Sequence, residues 1–291
     1  MKNKKKISVN KGGVNEYRKL VLKNFFKKKL VVVGFIITIV MAIIAIFAPL
    51  IATYDPYKVD VVAKLSAPGS KHIFGTDQIG RDIFSRVIYG TRISMEVGLF
   101  TALISLIGGM ILGLLAGYVK FLDNVIMRIC EAMGSVPPIL MSIALVAAIG
   151  ASTRNVILAL SIVYIPTIAR VTRASTLSIK EMTYIEAIRS QGASSVRIIF
   201  GHIAPNVLSP VIVQTTYIFA SAIITEAALS FLGAGVPAPT PSLGNILFEA
   251  KSYIYNATWM TVYPGIFTVL IVLGLNLFGD GIRDIIDPMS N

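Results

Sequence analysis

The chain has 291 residues, of which 55% are hydrophobic and only 14% are charged. Soluble globular domains carry about 25% charged residues, so this composition excludes a water-soluble domain and indicates a protein that lies in lipid. The formal net charge of +12 is compatible with nucleic-acid binding, but eleven basic residues and one acid lie within residues 1–29 alone. We interpret 1–29 as a basic cytoplasmic segment preceding a transmembrane domain at 30–291. We expect contact with membrane lipid and none with nucleic acid.

Long stretches without Asp, Glu, Lys or Arg predict where the chain crosses the membrane, because a helix needs about 20 apolar residues to span a bilayer. They indicate an all-α protein with six transmembrane helices. The predicted spans lie near 30–52, 96–118, 133–150, 155–172, 209–232 and 260–279. The fourth is the weakest of the six, since its charge-free run ends at residue 169.

The distribution of basic residues supports six spans with both termini in the cytoplasm. In that topology the cytoplasmic segments hold 19 of the 27 Lys and Arg residues. Without the fourth span, the five basic residues of 170–206 would lie outside the cell, against the rule. The topology predicts a multi-pass integral membrane protein.

Several kinds of chemistry are missing from the sequence. The chain has no Gly-Lys pair for a phosphate-binding loop, no His-Glu-x-x-His and no Gly-x-Ser-x-Gly. Its one cysteine, Cys130, excludes an intramolecular disulfide, and His72 and His202 are too few for a metal or haem motif. We predict no catalytic residue, no metal and no cofactor bound by this chain.

Residues 178–205, SIKEMTYIEAIRSQGASSVRIIFGHIAP, form the most informative cytoplasmic segment. The pattern predicts two short amphipathic helices hinged at Gly192, with Ser194 or Ser195 capping the second helix and Pro205 ending it. Pattern alone leaves two interpretations open, a docking site for another protein and an interfacial helix on lipid headgroups. The apolar positions of the second helix are Val196, Ile199, Phe200 and Ile203.

The spacing within this segment resembles the EAA loop of ABC importer permeases. That pattern is Glu-Ala-Ala, three residues, Gly, nine residues and then Ile-x-Leu-Pro, and Glu186, Ala187, Gly192 and Pro205 occupy its register. Ile188, His202 and Ala204 depart from it. The resemblance implies a coupling helix that docks onto an ATP-hydrolysing subunit. By that resemblance Glu186, Ala187 and Gly192 are the candidate coupling residues, with Val196, Ile199 and Phe200 as the buried side.

A second stretch, GTDQIGRDIFSRVIYGTRISMEVG at 75–98, resembles the signature of C-type permeases of dipeptide, oligopeptide and nickel importers. Further matches are EAALSFLGAGV (226–236), PTPSLGN (239–245) and NLFGDGIRDIIDP (276–288). The resemblance covers about 74–288, and it implies an extracytoplasmic segment that faces a partner. We therefore expect Arg81 and Asp82 to contact that partner. The residues alone leave a second interpretation open, a capped turn and a short amphipathic helix on the membrane surface. The candidate motif residues are Gly75, Thr76, Asp77, Gly80, Arg81 and Asp82.

The resemblance implies the type I ABC importer permease fold and an assembly of several subunits. These are a homologous B-type permease forming a heterodimer, two cytoplasmic subunits that use ATP and Mg²⁺, and an extracytoplasmic substrate-binding protein. This chain would form half of a translocation path for di- or oligopeptides. A nickel or metal-chelate importer stays open, because both classes share these motifs. An ion-coupled carrier acting alone is disfavoured, because the predicted spans carry almost no ionisable groups.

Three local expectations concern the spans. Gly109, Gly113 and Gly117 are spaced to let two helices approach closely. Arg92 and Glu96 are one helical turn apart and are expected to pair. Glu226 is the one acid inside a predicted span, and we expect it to pair with a neighbouring helix.

Overall fold

The structure is a computed structural model that describes residues 28–286. The basic segment predicted for residues 1–29 therefore lies almost wholly outside the described residues. The described part is helical, with one isolated β-bridge between Thr76 and Asp82. The helices are α1 (Lys29–Ile46), α2 (Ala48–Ile51), α3 (Ile83–Tyr118), α4 (Lys120–Gly134), α5 (Pro138–Ile149), α6 (Thr153–Lys180), α7 (Thr183–Ser190), α8 (Ser195–Ile198), α9 (Ala204–Phe231), α10 (Leu243–Ala250) and α11 (Trp259–Ile286).

Five helical stretches are long and apolar enough to cross a membrane: α1, α3, α6, the continuous stretch Ser195–Phe231 that ends in α9, and α11. They correspond to five of the six predicted spans. The second predicted span begins too late, because α3 starts at Ile83 and has 36 residues. The first turns of α3 carry charged side chains, so a search for charge-free runs places the start of this helix too late.

The third predicted span, 133–150, is wrong as a single helix. α4 and α5 are bent by 97° where they meet, and α5 alone has 12 residues. At 1.5 Å per residue it is about 18 Å long, against the roughly 30 Å of a hydrocarbon core. Pro137 and Pro138 explain the break, because neither has an N–H to continue the hydrogen bonding of α4.

The packing of α3 against α6 nevertheless shows that α4 and α5 together form a crossing. A Cβ added at Gly109 would meet Ile168, and one at Gly113 would meet Thr172, both at 2.4 Å. The residue numbers of the contacting pairs increase together along the two helices, so α3 and α6 run parallel. The chain between them must therefore return across the membrane. The same contacts confirm that the glycines let two helices approach closely.

The described chain thus has five spans and a sixth if α4 and α5 count as one, and it places its two described ends on one side. Lys28 Nζ lies 2.6 Å from a carboxylate oxygen of Asp284, which joins the start of α1 to the last turns of α11. The segment between α6 and α9 is on this side as well. The loop between α2 and α3 and the helix α10 lie on the opposite side.

Two expectations about charged groups in the spans have different outcomes. Glu226 on α9 is fully buried and accepts hydrogen bonds of 2.8 Å from Ser94 on α3 and Ser230 on its own helix. Its predicted pairing with a neighbouring helix is confirmed. The predicted Arg92–Glu96 pair is wrong, since both side chains are exposed and form no ion pair within 4 Å in the described structure.

Candidate functional site

Two regions carry the candidate functional residues, one on each side of the helical bundle. The first, here called the connecting segment, comprises residues 181–203 between α6 and α9. The second, here called the charge cluster, comprises Asp77, Arg81, Arg86 and Glu249. The two regions differ in what their side chains contact.

The connecting segment contains the two predicted helices with a turn at Gly192. Gly192 has φ of +83°, a left-handed conformation that favours glycine, and its N–H donates to the carbonyl of Arg189 at 2.9 Å. No heavy atom lies within 4 Å of the position where a Cβ would stand. Glycine is therefore favoured here by the backbone conformation and not by crowding.

Ser194 caps the second helix, as one of the two predicted capping residues. Its backbone is extended and its side chain accepts a hydrogen bond from the N–H of Arg197. The helix does not end at Pro205, so that prediction is wrong. A π-helical turn at Ile199–Ile203 leads directly into α9, where Pro205 occupies the first turn and needs no N–H donor.

The buried side of the connecting segment differs from the predicted one. Val196 and Phe200 are 65% and 69% exposed, and Ile199 is half-buried, so the predicted buried face is wrong within this chain. The residues that anchor the segment to the bundle are Ile185, Ile198 and Ile203, which belong to the core formed with α3, α6 and α9. The single π-turn shifts the register by one residue, which a strict helical period cannot reveal.

Glu186 and Ala187 lie on the exposed surface of α7. The outward-facing surface of the connecting segment therefore combines a carboxylate, a small residue and two large apolar side chains, Val196 and Phe200. Large apolar side chains grouped with polar ones at an exposed turn are typical of an interaction surface. The predicted coupling residues Glu186, Ala187, Val196 and Phe200 are thus each exposed on the connecting segment.

On the opposite side, the predicted motif residues are buried. Gly75, Thr76, Asp77, Gly80, Arg81 and Asp82 form a tight turn that precedes α3. Gly75 and Gly80 have φ of +74° and +87°. A Cβ at Gly80 would stand 1.7 Å from the carbonyl oxygen of Asp60, so only glycine fits there.

Asp77 organises the charge cluster. One of its carboxylate oxygens accepts from the N–H groups of Ile79 and Arg81, both at 2.9 Å, and the other is ion-paired with the Arg81 and Arg86 guanidinium groups. Arg86 also contacts Glu249 of α10 at 2.7 and 3.1 Å. Two arginines and two carboxylates thus neutralise one another where bulk water is excluded.

Asp82 and Thr76 complete the turn by different contacts. Asp82 caps α3 by accepting from the N–H and hydroxyl of Ser85 at 2.8 Å, and its other oxygen lies 2.9 Å from Nδ1 of His72. The carbonyl of Thr76 accepts from the indole N–H of Trp259 at 3.0 Å. The turn is therefore tied both to α3 and to the start of α11.

The expectation that Arg81 and Asp82 face an extracytoplasmic partner is wrong in this structure, since they are 7% and 2% exposed. Their contacts are internal, with Asp77, Glu249, Ser85 and His72. Arg86 and Glu249 were missed as members of the site. Arg86 follows the motif by one helical turn, but Glu249 is 163 residues further along the chain, and no local pattern marks it.

The geometry agrees with comparisons to known proteins. Residues 109–290 match the family described as binding-protein-dependent transport system inner membrane component, and residues 16–68 match the N-terminal transmembrane domain of oligopeptide transport permease C. The second match extends the resemblance N-terminally beyond the sequence motifs, which began near residue 74.

Individual relatives cover most of this chain. A dipeptide transport system permease protein, DppC of Alkalihalophilus pseudofirmus, is 44% identical over 91% of this chain and 88% of its own length. The probable D,D-dipeptide transport system permease protein DdpC of Escherichia coli is 40% identical over 90% and 88%. The glutathione transport system permease protein GsiD of Pectobacterium atrosepticum is 40% identical over 91% and 89%.

A solved structure shows the same fold. A chain of the inward-facing MetNI methionine ABC transporter superposes with a TM-score of 0.58 at 21% identity, covering 70% of this chain and 98% of that one. The helical bundle is therefore the type I ABC importer permease fold. This chain belongs to the binding-protein-dependent transport system inner membrane component family, as a multi-pass ABC importer permease of the bacterial cell membrane related to oligopeptide transport permease C.

Proposed function

We propose that this chain forms half of the translocation path of an importer for di- or oligopeptides. Its partners would be a homologous B-type permease, two ATP-hydrolysing subunits and an external substrate-binding protein. The single observation that carries the proposal is the exposed connecting segment, which presents the EAA-like residues outward within a chain of this permease family. The peptide substrate is supported by the names of relatives that are 40–44% identical over most of the chain.

In this proposal the connecting segment faces the cytoplasm and receives the motion of the ATP-hydrolysing subunits. Val196 and Phe200 would be the apolar side chains that such a subunit buries, and Glu186 would lie at the edge of the contact. Ile185, Ile198 and Ile203 would transmit the motion, because they pack the segment against α3, α6 and α9. Dense packing moves a segment and its neighbours together instead of absorbing the displacement.

The chain itself would perform no chemistry. ATP and Mg²⁺ would act in the partner subunits, whose closure would switch the six spans between outward-facing and inward-facing arrangements. A ligand can drive such a switch only through different free energies of binding to the two states. The connecting segment is where that difference would reach this chain.

The composition of the native complex tests this function. Gentle purification of the chain with its partners, followed by native mass spectrometry, should reveal a second permease, ATP-hydrolysing subunits and a peptide-loaded binding protein. A metal ion or chelate in the binding protein would replace the peptide with the nickel or metal-chelate alternative. A chain that is isolated alone and drives uptake alone would contradict the proposal.

The turn at Gly192 provides a test of coupling. Gly192→Pro should abolish peptide-dependent ATP hydrolysis and uptake, because proline fixes φ near −65° and removes the N–H that bonds to Arg189. Gly192→Asn is the matched control, since asparagine tolerates the left-handed conformation. Membrane insertion of both variants should equal that of the wild type. Normal uptake by a normally expressed Gly192→Pro variant would contradict the assignment.

A further inference from the structure

The break between α4 and α5 leaves irregular backbone on the surface of the described chain. Residues 134–138 are all exposed. The carbonyl oxygens of Ser135 and Val136 accept no hydrogen bond within the described residues, whereas the carbonyl of Pro137 accepts from Leu140 and Met141. Such free carbonyls are tolerated in a membrane only where they are covered by protein or line a water-filled cavity.

The depth of the break follows from the topology. α5 ends at the turn formed by residues 150–152, which lies on the side opposite the connecting segment. The helix is about 18 Å long. The hydrocarbon core is about 30 Å thick, so an α5 that reaches the opposite boundary and stands along the membrane normal has its other end, at the break, inside the core and past its midplane. Lipid cannot satisfy the free carbonyls at that depth.

An arginine lies against this break. A Cβ built on Gly134 would stand 2.9 Å from Nη1 of Arg170, which places the guanidinium beside the C-terminal end of α4. Arg170 is exposed, and it forms no ion pair or hydrogen bond with any described residue. It directly follows the charge-free run of α6. Charged groups within spans face water-filled cavities or partners, and not lipid tails.

We propose that residues 134–138 and Arg170 line the aqueous translocation path, and that the Arg170 guanidinium is a transient binding site for the C-terminal carboxylate of the passing peptide. A guanidinium donates two parallel hydrogen bonds to a carboxylate. The Arg170 side chain therefore suits a free C-terminal carboxylate and does not suit a neutral C-terminal amide. The free carbonyls of Ser135 and Val136 accept hydrogen bonds from water or from peptide N–H groups. This inference rests on the proposed import of peptides.

The first test measures whether water reaches the break. Cys130 is the single cysteine of the chain and is buried, so Cys130→Ala removes every thiol of this chain. In the complete complex in membranes, Ser135→Cys should react with a charged methanethiosulfonate reagent at least about tenfold faster than Ile107→Cys or Val269→Cys. The two controls are 61% and 62% exposed on the apolar surfaces of α3 and α11. Equal rates at all three positions would overturn the aqueous location, and so would protection of Ser135→Cys alone, which would mean that a partner subunit covers the break.

The second test measures recognition of the carboxylate. The reconstituted complex transports a peptide with a free C-terminus and the same peptide with a C-terminal amide, and the affinity of the binding protein for each is measured separately. Arg170→Gln should reduce uptake of the free-carboxylate peptide about tenfold or more and leave uptake of the amide unchanged, whereas Arg170→Lys should lose less. An equal change for both peptides, or none, would overturn the site. If the wild-type complex transports neither peptide, the proposed function itself fails.

Discussion

The turn that carries the charge cluster and the connecting segment each contain a left-handed glycine, but the surroundings of the two glycines differ. At Gly80 the neighbouring backbone fills the space where a side chain would stand, and at Gly192 that space is empty. The charge cluster satisfies its polar groups within the chain, whereas the connecting segment leaves Val196 and Phe200 exposed. The same left-handed glycine conformation therefore occurs in a buried, internally bonded turn on one side of the membrane and in an exposed surface segment on the other.

The largest expected effect that distinguishes the two regions is on stability. Asp77→Ala leaves the Arg81 and Arg86 guanidinium groups buried with only Glu249 to balance them, and should cost about 3–5 kcal/mol. The measurement is thermal unfolding of the purified complex. Glu186→Ala, at an exposed carboxylate of the connecting segment, is the control and should change stability by less than about 0.5 kcal/mol. Equal losses from the two substitutions would contradict the distinction between the regions.

Glycine substitutions in the two regions should have intermediate effects on stability. Gly192→Ala should cost about 1–2 kcal/mol, the cost of a left-handed alanine. Gly80→Ala should cost clearly more, because it carries the same backbone cost and also forces the turn away from Asp60. Gly201→Ala controls for side-chain addition alone, since its site is open and its φ is not positive. Unfolding temperatures in the order Gly201→Ala, Gly192→Ala, Gly80→Ala, from highest to lowest, would agree with the account, and any reversal would count against it.

The smallest expected effect on stability is at Phe200. Phe200→Ser removes a side chain that is 69% exposed and should change the free energy of unfolding by less than about 0.5 kcal/mol. If a partner subunit buries this ring, the same variant should lose most peptide-stimulated ATP hydrolysis. Ile198→Ser, at a fully buried neighbour, is the contrasting variant and should instead destabilise the chain. A Phe200→Ser variant with full stimulated hydrolysis would show that the ring is not part of the contact.

The sequence predicted the features that depend on local pattern. Charge-free runs located five of six spans, and the glycine spacing at 109, 113 and 117 located the close contact of α3 with α6. The turn at Gly192 and the cap at Ser194 also followed from residues that act on their own backbone. These features can be recognised from the composition and spacing of residues that are near neighbours in the chain.

Features that depend on distant residues or on small changes of helical register were missed. Glu249 joins the charge cluster across 163 residues, and no pattern near residue 77 indicates an acid on α10. The π-turn at Ile199–Ile203 changed both the buried face of the connecting segment and the role of Pro205. The break at Pro137 and Pro138 falls within the single predicted span 133–150, because apolar composition does not reveal a 97° change of direction.

Cysteine cross-linking at the connecting segment tests the central claim most directly. In the Cys130→Ala background, Phe200→Cys in the intact complex is treated with a short cross-linker that joins a thiol to a lysine amine, and the product is identified by mass spectrometry. We predict an adduct between this chain and an ATP-hydrolysing subunit, with a yield that changes when ATP is added. No adduct with such a subunit, together with efficient labelling by a lipid-soluble reagent, would contradict the claim and place the segment on the membrane surface.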